Sequence, residues 1–316
     1  MNYLDQLSGQ RILITGASGF LGSHVCDRLC KNGAEVHAVS REERTDDTSV
    51  RWWQGNMEDI EVVQNLFRTI KPEVVFHLSG HVTGAADLKL VLPTFHSLLV
   101  STVNLLTVAA NIGCRRIVLL ASLEEPEPGH TDAAPASPYA AAKWTSGTYG
   151  RMFHKLYQTP VVLVRPFMTY GPRQDVRKVI PSVTISLLQG QAPKLASGQR
   201  QVDWIYVDDV IEGLLAAAQV PDVEGCTLDL GSGTLVPIRA VVQQLTDLIS
   251  SQVEPLFGAR PDRPLEQVRV ANIAYTYAKL GWQPVTSLER GLEQTVDWYR
   301  RQLKNRRQEA GERRQE

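Results

Sequence analysis

The sequence predicts an α/β fold, a doubly wound parallel sheet with a smaller C-terminal lobe, and three observations carry that expectation. Arg11 to Thr15 (RILIT) is a short, β-branched apolar run that leads into a glycine-rich turn and an amphipathic segment. Apolar runs of similar length recur, separated by helix-length segments, which is the pattern of βαβ units. After Gly171 the alternation loosens, and proline and glycine crowd the stretches between Pro172 and Gly198 and between Pro255 and Pro264.

Taken in order, Arg11 to Thr15 reads as a fully buried strand. A helix follows from about Phe20 to Asn32, and Gly33 stops it. Glu35 to Ser40 is a second strand and Val74 to Leu78 a third. The periodicity predicts a helix over 97–112, a strand from Arg116 to Ala121, a long helix over 138–156 and a strand from Val161 to Arg165. Asp203 to Ala218 reads as a strand-helix unit that returns to the first layer. The organisation expected is therefore a first domain over 1–171 joined by 203–232, a second lobe over 172–202 and 233–300, and a charged tail over 301–316. That tail is nearly free of apolar residues and reads as a frayed helix end or disordered chain. There is no internal repeat.

A chain of 316 residues that is 43% hydrophobic can bury a sizeable core. Its 33 basic and 34 acidic residues nearly cancel, so no global basic field invites nucleic acid. The polar start and the lack of a long apolar stretch predict neither a secretory signal nor a membrane partner, and hence a cytoplasmic protein. The four cysteines, Cys26, Cys30, Cys114 and Cys226, have no zinc-like spacing and read as buried, reduced thiols; no metal is expected.

Two motifs carry chemistry. In Thr15-Gly16-Ala17-Ser18-Gly19-Phe20-Leu21-Gly22 the first glycine permits a tight turn and the second lets backbone approach a pyrophosphate. The third lets helix pack on sheet, and the helix N-terminus offers free N–H groups to the phosphates. In Tyr139-Ala140-Ala141-Ala142-Lys143 a phenol and an amine share one helical face. An ammonium there should favour the phenolate and pull the tyrosine down toward a working acid/base.

The G-x-x-G-x-x-G spacing followed by Tyr139 and Lys143 resembles the short-chain dehydrogenase/reductase superfamily. Three later segments resemble its extended subgroup, which acts on nucleotide sugars: Leu163 to Pro172, Asp203 to Val210, and Arg263-Pro264 with Ala271-Asn272 and Leu280 to Pro284. The resemblance covers about residues 10 to 300. It implies a Rossmann-like sheet with a substrate-binding lobe, and a nicotinamide cofactor held by Gly16, Ser18, Gly19, Phe20, Leu21, Gly22, Ser40, Arg41, Asn56, Met57, Leu78, Ser79, Gly80, Pro166, Tyr139 and Lys143. Ser40 and Arg41 close the second strand where an NAD-selective site has an acidic residue, so NADP is favoured over NAD.

Ser122 is the hydroxyl implied to orient the substrate oxygen, with Leu123 at or beside the usual catalytic hydroxyl position. Glu124 and Glu125 fall where related 4,6-dehydratases carry an acidic pair; by themselves they read as solvated glutamates, and Glu124 is kept as a substrate-side candidate. Arg263 is assigned to the substrate diphosphate with Arg200 as a second candidate, while Met168 and Val202 occupy positions where the family is usually polar. Asp208 and Asp209 read as a helix cap. The implied activity is hydride chemistry at C4 of a nucleoside-diphosphate sugar, as a 4-epimerase or 4-keto reductase. A 4,6-dehydratase and a non-catalytic nucleotide-binding protein are the alternatives. A homodimer through a four-helix interface is implied by analogy.

Overall fold

The computed structural model describes residues 5–45, 49–125, 134–262 and 267–312. Seven parallel strands form the main sheet: β1 (Arg11–Thr15), β2 (Glu35–Ser40), β3 (Val50–Gln54), β4 (Val74–His77), β5 (Arg116–Leu120), β6 (Val161–Pro166) and, far along the chain, β9 (Thr227–Leu230). Their order is β3-β2-β1-β4-β5-β6-β9. A three-stranded sheet of order β10-β8-β7 holds β7 (Met168–Tyr170), β8 (Gln201–Tyr206) and β10 (Leu235–Pro237).

Burial explains the apolar strands. Ile12 and Ile14 of β1 join the core on one face of the sheet, with Val25 and Leu29 of α1 (Phe20–Lys31) and Leu214 of α7 (Val207–Gln219). Leu13, between them, joins the core on the other face. That second core includes Phe67 of α2 (Ile60–Ile70), Leu105 and Leu106 of α4 (Ser101–Ile112), and Phe153 of α5 (Pro138–Tyr157). Successive side chains of a strand point to opposite faces, so a strand covered on both sides must be apolar throughout.

The helices of the second lobe are α6 (Val179–Leu188), α8 (Ile238–Ile249), α9 (Ile273–Leu280) and α10 (Leu288–Glu312). Because all seven main strands are parallel, the C-terminal ends of β1, β2, β4, β5, β6 and β9 share one edge. Strand order reverses between β1 and β4, and ligands of open α/β sheets bind at such a switch point.

Several expectations need correction. β3 was not foreseen, nor were β7, β9 and β10. The strand of the 203–218 unit does not return to the main sheet: β8 pairs with β7 and β10, whereas its helix α7 does pack on β5, β6 and α1. The helix predicted over 97–112 extends back to Leu88 through a 3-10 turn, α3 (Val91–Thr94) and a π-helical stretch (Phe95–Val100). The continuous Leu88–Ile112 helix is long and apolar enough to cross a bilayer, against the expectation that no stretch is; here its buried side, Leu98, Leu105 and Leu106, packs inside the protein. The start of the charged tail is ordered helix, since α10 runs to Glu312. Of the four free thiols Cys26 is buried, and Cys30, Cys114 and Cys226 are partly exposed.

Candidate active site

The glycine turn after β1 is shaped by close approach. Gly16 has φ +71°, and a Cβ there would stand 2.7 Å from the carbonyl carbon of Leu78 and the nitrogen of Ser79. A Cβ on Gly22 would stand 2.1 Å from the Gly16 oxygen, so the first turn of α1 sits directly on the loop. Gly19 caps α1 without a side-chain hydrogen bond, and Ser18 and Gly19 are exposed at the sheet edge. An uncapped helix start with its backbone open to solvent, cradled by residues that admit no Cβ, fits the pyrophosphate of a dinucleotide.

The turn is tied to the next loop through His77. Thr15 Oγ1 lies 2.8 Å from His77 Nδ1 and donates to Ser79 Oγ at 3.1 Å, and His77 Nε2 lies 3.2 Å from Thr102 Oγ1. Burial, with Lys143 nearby, drives His77 down to about 3, so the ring is neutral. Gly80 follows with φ +145°, and a Cβ there would strike Leu98.

Farther along the edge, Ser40 accepts from the Glu42 N–H at 3.2 Å, Arg41 is exposed, and Gln54 donates to the Arg41 carbonyl at 3.3 Å. Asn56 is exposed and its Oδ1 accepts from the Glu58 N–H. The Met57 side chain lies in the core, while its carbonyl accepts from Asn104. Phe20, Leu21 and Pro166 are partly buried beside the glycine turn and at the end of β6.

Ser122, Tyr139 and Lys143 meet at the end of β5. Ser137 caps α5, accepting from the Ala140 N–H at 3.1 Å, and Pro138 opens the helix, which fixes the two residues one turn apart. Tyr139, Lys143 and Ser122 are 9%, 7% and 5% exposed. The Ser122 hydroxyl bonds the Tyr139 phenol, and Lys143 Nζ donates to the Leu120 carbonyl at 3.0 Å. The phenol is not pulled down, as the sequence suggested. Burial pushes it well up, the charges of Glu124 and Glu125 add to that, and only the Ser122 bond opposes them. Burial lowers Lys143 to about 8, against a raising influence of Glu125. Tyr139 therefore holds its proton at neutral pH.

The glutamate pair corrects a second expectation. Glu124 is partly buried, accepting from Ser137 Oγ at 3.4 Å, and Glu125 is only 2% exposed, so neither is a solvated surface charge. Arg165 pairs with both Glu125 (3.5 Å) and Asp229 (2.9 Å). Leu123, Phe167, Met168, Arg200, Val202, Gln267 and Arg269 line a small cleft on the lobe side. Arg200 donates to the Gln267 carbonyl at 3.1 Å, and Arg269 donates to the carbonyls of Leu123 (3.2 Å) and Glu125 (2.9 Å). Asp209, read as a cap, accepts from the N–H and hydroxyl of Thr286 in the other lobe. Arg263 lies outside the described residues. Sequence reasoning missed His77, Arg165, Asp229 and Arg269; a polar residue at the end of β4 and a charged residue one short of the end of β6 and β9 were the available signal for the first three. Among the described residues no cluster of His, Cys, Asp or Glu has the makings of a metal site.

Known proteins resemble this chain in sequence and fold. The sequence profile of the NAD dependent epimerase/dehydratase family matches residues 12–231. A UDP-glucose 4-epimerase of Mycolicibacterium smegmatis is 30% identical over 92% of this chain and 98% of its own. A dTDP-glucose 4,6-dehydratase of Haemophilus influenzae is 27% identical over 91% of this chain and 97% of its own. The crystal structure of a UDP-glucose 4-epimerase from Thermotoga maritima with UDP-glucose superposes with a TM-score of 0.84 at 27% identity, covering 92% of this chain and 99% of that one. A matching profile over more than half the chain, a matching fold and an intact tyrosine-lysine pair converge: the protein belongs to the NAD-dependent epimerase/dehydratase family and is an enzyme of the extended short-chain dehydrogenase/reductase type.

Proposed function

We propose that the enzyme interconverts an alcohol and a ketone at C4 of a nucleoside-diphosphate sugar, as a 4-epimerase or a 4-keto reductase. The observation that carries this reading is the meeting of Ser122, Tyr139 and Lys143 at the sheet edge beside the glycine turn. A nicotinamide dinucleotide, when bound, supplies reversible hydride exchange at carbon. The residues that would hold it are the Gly16–Gly22 turn, Ser79, Gly80, Ser40 and Arg41, with Lys143 toward its ribose.

The chain's own groups do the rest. Tyr139 keeps its proton in the buried site and delivers it to the C4 oxygen as a ketone is reduced, then recovers it in the reverse direction. Ser122 hydrogen-bonds the phenol and orients the same oxygen. Lys143, one turn along α5, lends positive charge as negative charge develops on the phenol oxygen. Leu123, Phe167 and Met168 keep water from the lobe side of the sugar. Arg200 and Arg263 take the diphosphate. Ser40 and Arg41 favour NADP, the serine as a donor and the exposed arginine as a charge-assisted clamp on a 2′-phosphate.

A 4,6-dehydratase is the second reading, favoured by Glu124 and Glu125 standing close enough to Tyr139 to raise it. Against it, Glu125 has both carboxylate oxygens in hydrogen bonds and is poorly placed to take a substrate proton. The working unit is a homodimer, supported by Leu88, Leu92 and Phe95 on one helix and Leu156 and Tyr157 on α5, all exposed apolar side chains.

The test is Tyr139→Phe. Turnover of UDP-glucose or its 4-keto form should fall about 10³-fold, within the range of positioned proton transfer, with NADPH and NADH affinities unchanged. Unimpaired turnover would refute the role of Tyr139. NADH binding more tightly than NADPH would refute the reading of Arg41.

A further inference from the structure

The loop between β5 and α5 bears Ser122, and a buried charge chain holds it. Glu125 Oε1 accepts from the Ser122 N–H at 2.8 Å and Oε2 accepts from Arg165 Nη2 at 3.5 Å. Arg165 Nη1 donates to Asp229 Oδ1 at 2.9 Å, and Asp229 Oδ2 accepts from the Asn272 N–H at 3.1 Å. Arg269 donates to the Leu123 and Glu125 carbonyls. The same Glu125 carboxylate lies against α5: a Cβ on Gly147, one turn beyond Lys143, would come within 3.7 Å of Oε1.

We propose that Glu125 is a positioning residue which fixes Ser122 through its backbone N–H and acts as the buried counter-charge of Lys143, itself held in place by Arg165, Asp229 and Arg269. The inference rests on the reading of Ser122, Tyr139 and Lys143 as the reacting groups. Its physical basis is economy of buried charge. A buried ammonium needs an opposite charge, and a buried carboxylate needs its lone pairs filled. Glu125 meets both needs at once, because its oxygens are satisfied by Ser122 and Arg165 while its carboxylate lies against α5 one turn from Lys143, whose ammonium it favours. The groups acting on Lys143 are His77 from β4 and Glu125 from the loop after β5, and its Nζ donates to the Leu120 carbonyl; Tyr139 stands one turn earlier on its own helix, with Glu124 acting on it. His77 is neutral, which leaves Glu125 as the negative charge that acts on Lys143.

The chain also reaches the second lobe, since Arg269, Asn272 and Thr276, which donates to the Asp229 carbonyl, all lie in or beside α9. Packing of that lobe therefore sets the catalytic loop.

The test uses the full-length protein labelled with ¹³Cε-lysine, the Lys143 resonance being assigned by its loss in Lys143→Met. In Glu125→Gln, which keeps an acceptor for the Ser122 N–H, the Lys143 titration midpoint should fall by about one pH unit. Turnover of UDP-glucose should fall roughly tenfold with KM nearly unchanged, as for a group that orients the reacting atoms. In Asp229→Asn, which leaves Glu125 its charge, the midpoint should stay put. If Glu125→Gln does not fold, Glu125→Asp serves: its midpoint should stay near the wild-type value while turnover drops. An unmoved midpoint in Glu125→Gln, a shift in Asp229→Asn of equal size, or a fallen midpoint in Glu125→Asp would each overturn the proposal. The NMR arm needs no turnover, so failure of the wild-type enzyme on UDP-glucose would count against the proposed reaction alone.

Discussion

At the residue scale, what the sequence exposed was short-range chemistry. The glycine turn lies within eight residues and the tyrosine-lysine pair within one helical turn, so spacing alone places them. What it hid was the environment. Glu125 looked solvated because its neutralising partner Arg165 lies 40 residues away and Arg269 lies 144 residues away. The phenol was expected to fall toward neutrality because a lysine stood one turn on, yet burial drives it up and the charges of Glu124 and Glu125 add to that. Gly22→Ala probes the part that was legible. Its Cβ would overlap the Gly16 carbonyl, so the turn must shift; thermal unfolding should show a loss of about 2 kcal/mol, and NAD(P)H fluorescence titration a large loss of affinity. Wild-type affinity in this variant would mean that the turn can relax at no cost.

At the element scale, fully buried strands were legible and edge or cross-sheet strands were not. β1, β4 and β5 are apolar runs buried on both faces. β3 (VRWWQ) is a partly exposed edge with an arginine as its second residue, and it follows a charged loop. The strand identity of Gln201–Tyr206 was legible, but its partners are fixed by tertiary pairing with Met168–Tyr170 and Leu235–Pro237. The helix ahead of Ser97 was masked by Pro93, which cannot donate to the ladder; Thr94 and Ser97 bond back to preceding carbonyls, and the chain passes through a π stretch before α4. Large apolar side chains on that helix, Leu88, Val91, Leu92 and Phe95, remain exposed. Phe95→Asp should convert the proposed homodimer to a monomer in light scattering after size exclusion, since a charge at an apolar interface is left unpaired. A wild-type chain that is already monomeric would refute the dimer.

At the scale of the whole molecule, the pH response follows from buried histidines. His77 is lowered to about 3, so between pH 6.5 and 3 the unfolded chain binds a proton that the native state refuses. The unfolded state holds more protons in that window, and stability therefore falls as pH falls. By pH 5 this one group should cost about 2 kcal/mol relative to neutral pH. His24 and His37, both lowered chiefly by burial, push in the same direction. Urea titrations from pH 7 to pH 5 should show this slope, and His77→Gln should flatten it. An equal slope in that variant would assign the acid sensitivity elsewhere.

The position of β9 also governs the order in which the molecule can be made. β6 (VVLVRP) gains its outer neighbour only when Thr227–Leu230 is available, and Arg165 meets Asp229, 64 residues later in the chain. Until the ribosome has delivered that stretch, a nascent chain presents an apolar strand with an open row of N–H and C=O groups and an arginine lacking half of its neutralising charge. Pairing of β9 with β6 closes the edge and cancels the charge together. The loop that carries Ser122 thus gains its full support late, in the same event that shields the growing chain from aggregation.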